Sequence, residues 1–181
     1  MPWFIDMKKN PAYKVALPAI LCALALSLSF IEGMIPPLPF FPPGAKPGFS
    51  NIITMFAAGS IGLPTAALIA LAKGLFAFVT RGVTAGIMSL SGGLLSAFAM
   101  FFLIRYAKKI LGMVGISAIC AVVHNIGQLT AAVFITGTAD VIYYLPVLAI
   151  FGVITGALTG IILGSIMPAL EKVKKHFYEF K

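Results

Sequence analysis

Apolar runs of about 20 residues recur along almost the whole sequence, and short breaks of glycine, proline or charged residues separate them. A helix needs roughly that length of apolar sequence to cross the hydrocarbon core of a bilayer. The 181-residue chain is 60% hydrophobic and 10% charged, which is more apolar surface than one soluble core of this length can bury. The sequence therefore predicts a single integral membrane domain over residues 1–181, without a soluble module.

The breaks divide the chain into six predicted helices, so the expected fold class is an all-α integral membrane protein. Pro18 would lie in the first turn of the first helix, where proline is tolerated. Ser50 or Asn51 is a suitable N-cap for the second helix, and Pro64 is typical of a first helical turn. A basic amphipathic tail over residues 171–181 ends the chain. The predicted helices cover residues 14–33, 51–62, 64–80, 87–106, 114–136 and 144–170.

The second predicted helix is short, because about 12 residues at 1.5 Å each span less than a hydrocarbon core of about 30 Å. It is either a full crossing or a re-entrant segment. Basic residues favour the first option, since cytoplasmic loops carry an excess of Lys and Arg. With six crossings and both termini in the cytoplasm, ten of the thirteen basic residues are cytoplasmic, and a re-entrant helix would move seven of them outside. The ten are Lys8, Lys9, Lys14, Arg105, Lys108, Lys109, Lys172, Lys174, Lys175 and Lys181.

Residues 34–50 are expected to form an extracellular loop that closes over a binding pocket as a lid. Six of the twelve prolines lie between positions 36 and 47, which excludes both a helix interior and a central strand. Leu38, Phe40 and Phe41 stand among these prolines, and Lys46 adds a cation. The apolar side chains either contact a substrate or rest on lipid headgroups.

Strongly polar side chains inside a membrane are costly and usually face a cavity or a partner. His124 and Gln128 are one helical turn apart, and Asn125 lies beside them. This trio either joins neighbouring helices by hydrogen bonds or contacts a ligand. Lys73 either forms an ion pair with Glu32 or contacts a ligand. The candidate substrate-binding residues are Glu32, Lys46, Asn51, Lys73, Arg81, His124, Asn125 and Gln128.

Four glycines at a strict spacing of four leave one face of the sixth predicted helix as bare backbone. They are Gly152, Gly156, Gly160 and Gly164. Small residues at this spacing let membrane helices approach closely. The face either packs against another helix of the same chain or receives a partner protein.

Enzyme chemistry has little support in the sequence. The chain lacks an aspartate-rich D-D-x-x-D motif for magnesium and diphosphate, a glycine-rich phosphate loop and a Cys/His metal spacing. Cys22 and Cys120 are isolated in apolar runs and make no disulfide or zinc framework. We therefore expect no catalytic residue, no cofactor and no metal. The net charge of +8 is better explained by orientation in the membrane than by nucleic acid, which we do not expect as a partner.

Four short motifs follow one another along the chain. They are Ala19-x-x-x-Ala23, Glu32 before the proline-rich loop, Gly44-x-Lys46-x-Gly48-x-x-Asn51, and His124-Asn125-x-x-Gln128. In this order, and over residues 14–170, they resemble the Gx transporter family, whose members are often labelled heptaprenyl diphosphate synthase component I. That family is similar to the substrate-binding S components of energy-coupling-factor (ECF) transporters.

The resemblance implies a nutrient-binding subunit of a bacterial plasma membrane, with a pocket that opens outside and is capped by the loop after the first helix. It implies that Ala19 and Ala23 dock on a transmembrane coupling protein driven by two ATPases. The synthase label instead implies an accessory role in prenyl-chain synthesis, and a third alternative is a stand-alone secondary transporter. Because cations outnumber Glu32 among the candidates, we expect a small anionic amphipathic ligand. A quinone or isoprenoid precursor and a flavin- or vitamin-like compound both fit.

Overall fold

A computed structural model describes the backbone of residues 11–34 and 48–179, and the side chains of 15–34 and 48–166. These ranges contain six α-helices and no strand, which confirms the predicted all-helical fold. The predicted lid residues 35–47 lie outside the described ranges. The helices are α1 (Pro11–Met34), α2 (Asn51–Ser60), α3 (Leu63–Arg81), α4 (Val83–Tyr106), α5 (Lys108–Thr136) and α6 (Leu145–Glu179), with a 3-10 helix (Ala139–Tyr144) before α6.

Five helices, all except α2, are long and apolar enough to cross a bilayer, so the chain is a multi-pass membrane protein. The ten residues of α2 extend for about 15 Å, half the thickness of a core of about 30 Å. This helix lies in the centre of the bundle, against α1, α3, α4 and α6, and none of its residues is fully exposed. Met55 and Ala57 of α2 pack in the core with Ile69 of α3 and Met100 of α4. The second of the six predicted crossings is therefore a half-length helix sheltered from lipid.

Successive helices run in opposite directions. Short connections follow α2, α3, α4 and α5, and the end of α1 meets the start of α2 where Ser50 Oγ donates to Glu32 Oε2 at 2.8 Å. We call the end of the bundle where α1, α3 and α5 end the upper end, and the opposite one the lower end. The first helix begins and the last helix ends at the lower end. Arg105, Lys108 and Lys109 also lie there, so the positive-inside rule still predicts that this end is cytoplasmic.

The starts of α1 and α4 differ from the predicted ones. α1 begins at Pro11, so Pro18 lies in the helix interior instead of the first turn. Membrane helices tolerate an interior proline because neighbouring groups satisfy the freed carbonyl. α4 begins at Val83 rather than at residue 87, because Gly82 (φ 92°) makes the whole turn after α3 by itself.

The ends of α5 and α6 also extend beyond the predicted ranges. α5 begins at Lys108, and Gly112 (φ 60°, ψ −178°) interrupts its first turns with a backbone conformation that favours glycine. α6 continues to Glu179, so most of the predicted basic tail belongs to this helix.

The glycine face of α6 packs against α5. A Cβ atom on Gly156 would lie 2.7 Å from Ala118 Cα, and one on Gly160 would lie 2.5 Å from Val114 Cα. Both distances are too short for any side chain, so the two backbones are in direct contact. Gly164 differs, because a Cβ atom there would meet nothing within 4 Å. Packing against α5 therefore explains the glycines in the upper part of this face, but it does not explain Gly164.

Candidate ligand-binding cavity

A cavity of about 70 Å³ lies between α2, α3, α4, α5 and α6. Its described lining contains two cationic side chains and no carboxylate. Six of the eight candidate residues line it, although they are far apart in the sequence. These six are Asn51, Lys73, Arg81, His124, Asn125 and Gln128. Glu32 lies beside the cavity, and Lys46 falls outside the described residues.

Lys73 lies about halfway along α3 and is buried, with 6% of its surface exposed. Its Nζ donates to Asn51 Oδ1 at 2.7 Å. Ten residues separate Leu63 from Lys73, a rise of about 15 Å that equals the length of α2. α2 therefore begins near the level of Lys73 and runs alongside the lower half of α3.

The start of α2 faces this cavity, but its first backbone groups are already paired. Asn51 N donates to Gly48 O at 2.9 Å, and Ile52 N donates to Phe49 O at 3.0 Å. The helix therefore contributes the positive end of its dipole to the cavity, while direct hydrogen bonds must come from side chains.

Glu32 is buried near the end of α1, with 4% of its surface exposed. Its Oε2 accepts the hydrogen bond from Ser50, while its Oε1 has no partner. Glu32 and Lys73 attract each other electrostatically, but no direct salt bridge joins them in the described ranges. Instead, each group hydrogen-bonds to one of two adjacent residues, Ser50 and Asn51. Ser50 occupies the N-cap position of α2, yet its hydroxyl is used by Glu32 and does not cap the helix.

Glycines on both sides of α5 make room for the polar trio. A Cβ atom on Gly92 of α4 would lie 2.8 Å from Gln128 Cγ and 3.1 Å from His124 Cε1. On the other side, a Cβ atom on Gly152 of α6 would lie 2.7 Å from Asn125 Nδ2. The trio is therefore held where α5 lies close to both α4 and α6.

The three side chains have different roles in the bundle. Asn125 Nδ2 donates to Leu148 O at 2.7 Å and so joins α5 to α6, as the structural interpretation predicts. His124 Nδ1 is buried without a partner. Gln128 makes no side-chain hydrogen bond to the described part of the chain. His124 and Gln128 are therefore the members that have hydrogen-bonding capacity left for a ligand.

Residues 21–166 match the family model described as heptaprenyl diphosphate synthase component I. The chain belongs to this family. The matched region contains every described residue that lines the cavity. No curated protein and no solved structure matches the chain. The similarity to S components of ECF transporters stays a prediction.

Hydroxyl groups that were not identified from the sequence also form part of the cavity wall in this member of the heptaprenyl diphosphate synthase component I family. Ser96, Thr155 and Thr159 line the cavity, and each donates to a carbonyl three or four residues earlier in its own helix. Serine and threonine commonly do this in helices, so single occurrences carry no signal. The one signal in the sequence is the spacing of Thr155 and Thr159, which would place both hydroxyls on one surface beside the glycine face.

Groups that could hold a metal ion are absent from the described ranges. No three His, Cys, Asp or Glu side chains come together there. The thiol of Cys120 lines the cavity but donates to the thioether of Met100 at an Sγ–Sδ distance of 3.8 Å. The described cavity offers charged and hydrogen-bonding side chains for the recognition of a ligand.

Proposed function

We propose that the chain is the substrate-binding membrane subunit of an ECF-type uptake transporter, and that it binds a small anionic amphipathic molecule in the cavity. The observation that carries this proposal is the presence of Lys73 and Arg81 in a cavity whose described lining has no carboxylate. Cations inside a membrane protein are costly, and they are commonly found at substrate and ion sites. Glu32, beside the cavity, interacts electrostatically with both cations, and an anionic ligand would supply the second counter-charge.

The position of α2 supports the same function. Transporters commonly bind substrates near the membrane midplane, where a broken or short helix directs its positive N-terminal end at an anionic group. Here α2 begins about halfway along α3, and its first residue, Asn51, holds the ammonium of Lys73. The cation and the helix dipole therefore act on the same side of the cavity.

The exposed face of α1 supports a partner protein. Ala19 and Ala23 lie one turn apart on this face, and both are exposed. α1 packs mainly against α2 and α3, and leaves large apolar side chains such as Ile20 and Leu24 exposed. Small residues on such a face let a second membrane helix approach closely. We propose that a transmembrane coupling protein, driven by two ATPases, docks there.

A second function follows from the family description, which names a component of a synthase. The chain would then be a non-catalytic membrane accessory of prenyl diphosphate or menaquinone synthesis. The cavity would hold a precursor or product for a soluble enzyme, because the sequence lacks the aspartate-rich motif that a catalytic subunit needs.

Purification of the chain from native membranes distinguishes these functions. We expect a coupling protein and two ATPases to co-purify, and native mass spectrometry to show a retained small anion. Co-purification of a soluble prenyl synthase alone would instead support the accessory function. Uptake by the purified chain alone, driven by an ion gradient, would contradict both and indicate a secondary transporter.

A further inference from the structure

The polar groups of the cavity are spread along its length and over opposite walls. Arg81 and Gln128 lie toward the upper end, and Ser96 and Thr159 lie deeper. From Leu148 to Thr159 the lining follows α6 for eleven residues, or about 16 Å. A ligand that fills this space therefore meets polar groups at more than one point.

Two of these groups lie on facing helices and have unused hydrogen-bonding capacity. Lys73 of α3 has three N–H donors, and the bond to Asn51 uses one of them. Nδ1 of His124, on α5, is buried and has no partner. A buried polar group without a partner is unfavourable, so a ligand that pairs with both groups gains the most from binding.

The neighbours of His124 determine what its Nδ1 can bind. The ring of His124 packs against Gly92 of α4, whose N–H is used inside the helix, so the backbone group that remains for the other ring nitrogen is the carbonyl. A ring nitrogen that faces a carbonyl carries the hydrogen, and the Nδ1 of the neutral ring is then an acceptor. His124 therefore requires an O–H or N–H donor from the ligand.

Apolar surface lies between these polar groups. Met55 and Phe151 line the cavity, and the backbone at Gly152 and Gly156 adds a surface without side chains. Such walls suit a flat ring.

From this geometry, and on the basis of the proposed function, we infer that the ligand is a short ring compound with an anionic group for Lys73 and a hydroxyl or amine donor for His124. His124 is then the residue that selects for the donor. The contact between the anionic group and Lys73 supplies affinity, while the hydrogen bond from the donor to His124 supplies specificity.

The inference is tested by measuring the binding of simple ring acids to the full chain in lipid nanodiscs, after any retained ligand has been removed. The probes are 3- and 4-hydroxybenzoate, their methyl ethers, benzoate and farnesyl diphosphate. By titration calorimetry, at least one hydroxybenzoate should bind about 2- to 12-fold more tightly than benzoate and than its own methyl ether, which lacks the donor. Equal affinities, no binding of any ring acid, or tighter binding of farnesyl diphosphate would overturn the inference.

Variants assign the effect to His124. In a His124→Phe variant the ratio of hydroxybenzoate to benzoate affinity should fall to about 1, whereas Thr130→Val, an exposed position on the same helix, should leave it unchanged. Should His124→Phe fail to fold, the comparison of each hydroxybenzoate with its methyl ether on the unaltered chain still decides. A chain that retains a cellular anion but ignores the donor refutes this inference and leaves the uptake function standing. A chain with neither retained ligand nor ATPase partners refutes the function.

Discussion

The contact between α5 and α6 should not tolerate a methyl group at Gly160. A Cβ atom there would lie 2.5 Å from Val114 Cα and 2.9 Å from Met113 O, and ordinary contacts begin at 3.4 Å. Because the nearest atoms belong to the backbone, no side chain can turn aside. The two helices must separate by about 0.9 Å to bring the closest pair of atoms to 3.4 Å.

Gly164 provides a matched control on the same face of the same helix. A Cβ atom there meets nothing within 4 Å. Gly160→Ala and Gly164→Ala both gain about 1 kcal/mol of helix propensity, so the difference between the variants isolates the cost of overpacking, about 1–3 kcal/mol. At about 2–4 °C per kcal/mol for a chain of this size, Gly160→Ala should unfold about 2–12 °C below Gly164→Ala.

The thiol of Cys120 offers a direct readout of this unfolding, because it is completely buried in the folded chain. In a Cys22→Ser background, a thiol-reactive dye in one detergent should label Cys120 only as the bundle opens. The midpoints of labelling against temperature give the two stabilities. Equal midpoints for the two alanine variants would refute the argument that α5 and α6 are in backbone contact at Gly160.

The remaining predictions concern the cavity, the exposed face of α1 and the topology. Gln128→Ala should weaken binding of the retained anion about 10- to 150-fold by calorimetry, since a hydrogen bond to a charged group contributes about 1.5–3 kcal/mol; unchanged affinity contradicts its role. Asn125→Leu loses the bond to Leu148 O, so the thermal midpoint should fall by about 1–6 °C; an unaltered midpoint would mean the bond adds no stability. Ala23→Leu should abolish co-purification of the coupling protein and preserve ligand binding, because a large side chain props helices apart; the reverse pattern would argue against docking on α1. Ala45→Cys, without other cysteines, should react with an impermeant maleimide from outside, and labelling only from the cytoplasm would reject the six-crossing topology.

The helices could be predicted from the sequence because apolar length, prolines and glycines act locally. The cavity could be predicted only in part. His124 and Gln128 were identifiable, since polar residues in a membrane helix are rare and their spacing places them on one face. The partners of Lys73 and Glu32 were not identifiable, because the choice between a direct ion pair and bonds to Ser50 and Asn51 depends on where α2 begins.

The role of Gly92 shows a second limit of sequence reasoning. Nothing near it in the sequence indicates that its missing side chain makes room for His124 and Gln128, 32 and 36 residues later. Close contacts between helices depend on their crossing points, and periodicity within one helix does not determine those points.

The sheltered position of α2 has a consequence for how the protein is made. Ten residues do not have the length to cross a bilayer as an independent helix. α2 must therefore enter the membrane together with α3, the apolar helix that follows it. It loses its contacts with lipid only when the neighbouring helices pack against it. Two of those neighbours, α3 and α4, follow α2 in the chain and make most of its contacts. A chain that stops before α3 and α4 would therefore leave this half-length helix in contact with lipid.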